Sequence, residues 1–138
     1  MRSASSAAER RLEASRSEAG ATIVEFLAVA LLTVVCLLGV AQMAVWVWAR
    51  NVAVSAVHEG ARTAAETGRP VGDGTARARV LLVDGLGGGG RAFVVEAAQD
   101  GDVIAVSARG RAPVIVPFLP VFEIDVRATA YDEDRVLP

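Results

Sequence analysis

From Phe26 to Ala49 the chain runs for 24 residues without a charged side chain. At a helical rise of about 1.5 Å per residue such a run reaches roughly 36 Å. A bilayer core is about 30 Å thick, so the run is long enough to cross it with some tilt. A cleaved secretory signal has an apolar region of only about 7 to 15 residues, ending at small residues, which this run exceeds. Lipoprotein processing fits poorly as well, because Cys36 follows Thr33-Val34-Val35 in mid-run. Cys36 reads as a packing residue. It is the only cysteine, so no intramolecular disulfide exists and whatever folds beyond the span must be held by packing alone.

Arg2, Arg10, Arg11 and Arg16 precede the span, whereas only Arg50 and Arg62 follow closely behind it. By the positive-inside bias, this predicts a cytoplasmic N-terminus and an extracytoplasmic C-terminal part, with Trp46 and Trp48 near the outer interface. The formal charge of −2 gives no basic character, which argues against nucleic-acid binding. All 14 basic residues are arginine, a composition that suits a GC-rich bacterial genome.

Residues 1–20 are rich in Ser, Ala, Arg and Glu and too polar to fold alone, and are expected to form a cytoplasmic leader. Residues 21–67 are expected to form one transmembrane helix with an amphipathic continuation. In that continuation Ala53, Val57, Gly60, Ala61 and Ala64 mark one face, and Ser55, Glu59, Arg62 and Glu66 the other. Gly68 and Pro70 are the expected stop. Residues 68–138 then form a small extracytoplasmic α+β domain. After a linker at Arg69–Gly74, a short helix is predicted over Thr75–Leu86, ended by Gly85 and Gly87–Gly90. Ala92–Ala97 and Val103–Ala108 read as a hairpin around Gln99-Asp100-Gly101-Asp102. Pro113, Pro117 and Pro120 make the next stretch an edge or loop. Val121–Tyr131 alternates, with Phe122, Ile124, Val126, Ala128 and Ala130 on one face. The expected fold is thus α+β: a long N-terminal helix, a short helix and a three-stranded antiparallel sheet. One sheet face needs cover, and the small-residue stripe of the long helix can supply it. A domain of about 70 residues buries a low fraction of its surface, so help from the long helix or from neighbouring subunits is expected.

Several motifs carry a bland alternative. Thr22-Ile-Val-Glu25 matches a capping box, in which the hydroxyl and the carboxylate serve free N–H groups at a helix start. Gly85-Leu-Gly-Gly-Gly-Gly90 satisfies G-x-G-x-x-G, but it follows a helix and precedes a strand, the reverse of a dinucleotide site, and reads as a flexible turn. His58-Glu59 begins H-E-x-x-H, yet Arg62 stands where the second His is needed. As the only histidine, His58 reads as a solvated helix residue. Glu59 with Arg62, and Arg62 with Glu66, are spaced as surface pairs worth a few tenths of a kcal/mol, or else face another subunit. With one His and one membrane Cys there is no nucleophile–base set. The chain is expected to be no enzyme, with no metal, no cofactor and no small-molecule substrate.

Gly20, the four residues after it, Glu25-Phe26 and the long apolar helix together resemble the processing site of type IV prepilins. His58-Glu59-Gly60-Ala61-Arg62 resembles the Glu-Gly-Ala-Arg segment of TadE-like proteins, minor pilins or pseudopilins of the tight-adherence (Flp) pilus system. The resemblance implies cleavage between Gly20 and Ala21 by a prepilin peptidase. It also implies a role for Glu25 and Phe26 in subunit register, where the new α-ammonium and the Glu25 carboxylate of adjacent subunits relieve each other's cost in a low dielectric. Glu59, Gly60 and Arg62 are the candidate subunit contact. The implied partners are the membrane, the peptidase and other pilus assembly subunits, and the implied location is the bacterial plasma membrane or a surface filament. The alternative is an uncleaved single-span anchor whose outer domain binds another envelope or secretion component.

Overall fold

The computed structural model describes the backbone of residues 2–66, 69–115, 117 and 120–132, with side chains from Gly20 onward except that of Ala21. It has a long helix α1 (Arg2–Ala65), a second helix α2 (Val71–Leu86), a 3₁₀ turn over Gly87–Ala92, and strands β1 (Val94–Asp100), β2 (Val103–Arg111) and β3 (Glu123–Tyr131). The fold is α+β. The chain divides into two units, Met1–Val40 and Ala41–Pro138.

α1 is helical from Arg2, not from near Ala21 as expected. Residues 2–19 are dominated by Ala, Arg, Glu and Ser with no proline or glycine, and the first three are strong helix formers. Lack of an apolar face prevents a core, but it does not prevent a helix. Within α1 the large side chains from Ile23 to Val40 that are exposed include Phe26, Leu31, Leu32 and Leu37. Eighteen residues at about 1.5 Å each give roughly 27 Å, close to a bilayer core. Burial begins beyond them, at Gln42 and then Ala49, Ala53, Ala56 and Val57. This lipid-compatible stretch, whose one charged residue is Glu25, ends where burial begins, although Met43 and Val47 remain exposed beyond it. Trp46 belongs to the folded unit: it packs against the core, with its ring 6.2 Å from that of Phe122. Trp48 is exposed, as an interfacial residue would be.

The three strands pair antiparallel in the order β1-β2-β3. Gly101-Asp102 joins the hairpin, since Asp100 pairs with Val103. Gly101 has φ +60° while no non-glycine residue has positive φ, which is the type II′ pattern favoured by the strand twist. β3 starts at Glu123 rather than Val121, so Phe122 lies before the strand and is exposed instead of facing the core; from there the strand alternates as expected, with Ile124, Val126 and Ala128 buried and Glu123, Asp125, Arg127 and Thr129 exposed. The inner face is covered by Ala49, Ala53, Ala56, Val57 and Ala61 of α1 and by Ala78, Leu82 and Leu86 of α2. Ala64 and Ala65 continue the stripe onto Ile104. The stripe is small-sided, so the helix can lie close to the sheet, and the largest fully buried side chains are Leu82, Ile104, Val57 and Val106. On the outer face Arg109 pairs with Asp125 directly across the strands at 2.9 Å. Arg79 donates to the Val95 carbonyl, occupying an acceptor on β1, an edge strand of the described sheet.

Two glycine segments differ from expectation. α2 begins at Val71 behind Pro70, not at Thr75, so Gly72 and Gly74 are helical rather than linker. The glycine run after α2 is an ordered 3₁₀ turn rather than a flexible one. A Cβ on Gly90 would overlap the Leu82 carbonyl, so this turn lies directly on the α2 backbone.

Candidate functional site

The two sequence motifs fall in different units. In the first, Gly20 is exposed, and a side chain there would meet nothing within 4 Å. A glycine inside a helix costs about 1 kcal/mol relative to alanine, and no packing among the described residues requires this one. The same openness holds at Gly39, where a transmembrane helix tolerates glycine. Ala21 lies on α1, and its side chain is outside those described. Glu25 and Phe26 are both exposed. The capping-box reading of Thr22 and Glu25 requires a helix start, with its free N–H groups. α1 has already run for twenty residues by then, so in the intact chain Thr22 and Glu25 have no helix start to cap.

In the second unit, Gly60 sits where α1 meets α2. A Cβ on Gly60 would stand 2.7 Å from the Gly74 carbonyl oxygen and 3.0 Å from the Ala78 Cβ. The converse holds for Gly74, which faces the Gly60 carbonyl oxygen and the Ala64 Cβ. Gly60 and Ala64 on one helix thus interlock with Gly74 and Ala78 on the other, small residues four apart that let two backbones touch. Farther along, the position a Cβ would take on Gly85 is filled by Val52. Ala61 is buried beside Gly60. Glu59 reaches across to Arg77 of α2 at 3.7 Å, and Glu66 pairs with Arg69 at 2.8 Å. The partners formed are therefore not the within-helix pairs that spacing suggested. Both are half-exposed and contribute little to stability. Among the described residues Arg62 has no carboxylate at ion-pair distance; with Ala65, Glu66, Ala130 and Tyr131 it lines a groove of ≈ 230 Å³. His58 is exposed, as expected. Among the described residues no group of three or more His, Cys, Asp or Glu side chains is placed to hold a metal ion.

Residues 20–62 match the family model described as TadE-like protein. Over this stretch the chain is similar to TadE-like proteins. The match begins at Gly20 and ends at Arg62, so it spans both motifs and the whole exposed apolar segment between them. No curated protein and no solved structure matches the chain. The TadE-like stretch joins two kinds of residue. Gly20 and Glu25 are exposed among the described residues, whereas Gly60 and Ala61 are consumed by packing inside the folded unit. Sequence reasoning missed Gln42, which is 2% exposed. Its side-chain amide donates to the Pro113 carbonyl at 3.1 Å, and its Oε1 accepts from the Ile115 N–H at 3.0 Å. The available signal was a lone amide within an otherwise uncharged, mostly apolar run.

Proposed function

We propose that this chain is a structural component of tight-adherence (Flp) pilus assembly: a single-pass protein of the bacterial plasma membrane, cytoplasmic at its N-terminus. In this reading a prepilin peptidase cuts after Gly20, and the product joins other pilus subunits as a minor pilin or pseudopilin. The observation that carries the proposal is the TadE-like match over residues 20–62, which includes a glycine five residues before Glu25 on an exposed helix. Gly20 supports it as well, because no contact among the described residues needs a glycine there. Cleavage would create a new helix start at Ala21. Its α-ammonium and free N–H groups would then lie one turn from Glu25, where a carboxylate is favoured by the helix dipole. Cleavage also makes the Glu25 charge available for pairing with a neighbouring subunit's ammonium. Arg62, exposed beside a groove, is the member of the second motif left to meet a partner, with Glu59 at the rim of the helix crossing.

One observation favours the alternative of an uncleaved anchor. The backbone is helical through Gly20 and Ala21, and proteolysis favours exposed segments that can leave regular structure. Local unwinding is least costly at a glycine, so the helix slows cutting without forbidding it. N-terminal sequencing of the protein from cells that contain the matching peptidase separates the two readings. The expected sequence is Ala-Thr-Ile-Val-Glu; an intact Met1 or Arg2 terminus would leave the anchor reading.

A further inference from the structure

We propose that the connection between β2 and β3 rests on the outer leaflet of the membrane and forms a second lipid contact beside α1. The proposal depends on α1 crossing the bilayer. Between Arg111 and Glu123 the sequence has no charged residue. Of the described side chains in this connection, Val114, Ile115, Val121 and Phe122 are 41%, 54%, 47% and 36% exposed. An exposed apolar run of this kind is unusual on a soluble face.

Its attachment point indicates which apolar phase covers it. Gln42 binds both Pro113 and Ile115, and in sequence it lies two residues after Val40, at the end of the exposed apolar stretch of α1. Met43 and Val47, on the next turns of the same helix, are also exposed. The connection is therefore tied to α1 at the residue where the lipid-compatible stretch gives way to the folded unit.

The hydrogen bonding is also what a lipid contact demands. Irregular backbone is tolerated at membrane depth only where its N–H and C=O groups find partners, and a lone amide side chain carries the same cost. Here one side-chain amide answers one carbonyl and one N–H, and is answered by both.

The experiment uses full-length protein in a Cys36→Ala background, with single cysteines introduced as Leu31→Cys, Ile115→Cys or Asp100→Cys. Each carries an environment-sensitive fluorophore and is reconstituted into phosphatidylcholine vesicles. Some vesicles contain lipids with a spin-label quencher in the headgroup region, others a quencher deep in the chains. Position 31 should lose most of its emission to the deep quencher, position 115 to the shallow one, and position 100, at the hairpin end, to neither. Quenching at 31 without quenching at 115 would overturn the lipid contact while leaving the crossing helix intact. A blue-shifted probe at 115 that ignores both quenchers would also overturn it, since a protein neighbour would then cover the loop. Equal shallow quenching at 100 and 115 would reduce the effect to general adhesion and overturn it too. No quenching at 31 would remove the membrane-crossing reading itself, and this proposal with it.

Discussion

At the scale of single residues, the TadE-like stretch contains one carboxylate whose place the folded chain does not explain. Glu25 is exposed on an uninterrupted helix, with no helix start for it to cap until Gly20 is cut. After a cut it becomes a first-turn residue. Glu25→Gln separates two roles. If the carboxylate only completes a cap, glutamine serves nearly as well, and filament incorporation should be unchanged. If its charge pairs with the Ala21 ammonium of a neighbouring subunit, the substitution leaves a buried ammonium unpaired, at a cost of about 3 to 5 kcal/mol. The proposed register role predicts normal processing with sharply reduced incorporation. Comparing processed protein in the membrane with protein in sheared filaments, wild type against Glu25→Gln, measures this. Equal incorporation would return Glu25 to capping.

At the scale of elements, the contact that organises the folded unit is the α1–α2 crossing at Gly60 and Gly74. On an isolated helix Gly60→Ala would stabilise by up to about 1 kcal/mol. Here the added methyl meets a backbone carbonyl at 2.7 Å, so the helices must separate, and overpacking costs about 1 to 3 kcal/mol. The second effect exceeds the first. Gly60→Ala should lower the melting temperature in detergent, while Gly72→Ala, where a Cβ meets nothing within 4 Å, should leave it unchanged or slightly raised. A melting temperature raised by Gly60→Ala would mean the crossing is looser than described. The same crossing shows what the sequence could and could not reveal. The alternation of β3 from Ile124 to Ala128 was legible because alternation reports burial directly, whereas its start was not, since Val121 and Phe122 continue the pattern in sequence but lie outside the strand and are exposed. The α1 stripe was legible because small residues recur at helical spacing. The start of α2 was not, since Gly72 and Gly74 carry a local signal for linker, and only the approach of another helix makes Gly74 a helical residue. The ordered turn at Gly87–Ala92 was hidden for the same reason, its constraint being the Leu82 carbonyl beneath Gly90. Gly20 and Glu25 were legible as a pattern, but their exposure, which distinguishes them from packing residues, had to be seen in the fold.

For the molecule as a whole, the distribution of polar and apolar surface bears on which side of a membrane each part occupies. The exposed apolar side chains of α1 from Ile23 to Val40 suit a hydrocarbon core. The outer sheet face, with Glu96, Arg109, Arg111, Glu123, Asp125 and Arg127 exposed, suits water. Arginines are denser before the apolar stretch than just after it, and the positive-inside bias acts on such near charges rather than on net charge. The sheet is thus expected outside the cell membrane. Asp100→Cys with Cys36→Ala provides the test, because Asp100 is exposed at the hairpin end, where substitution disturbs no core contact. A membrane-impermeant thiol reagent should label it in intact cells of a strain with a single membrane, or in spheroplasts of one with two. Labelling only after the membrane is broken would place the sheet in the cytoplasm. Gly20 would then lie on the outer side, and the orientation on which the proposed processing rests would be reversed.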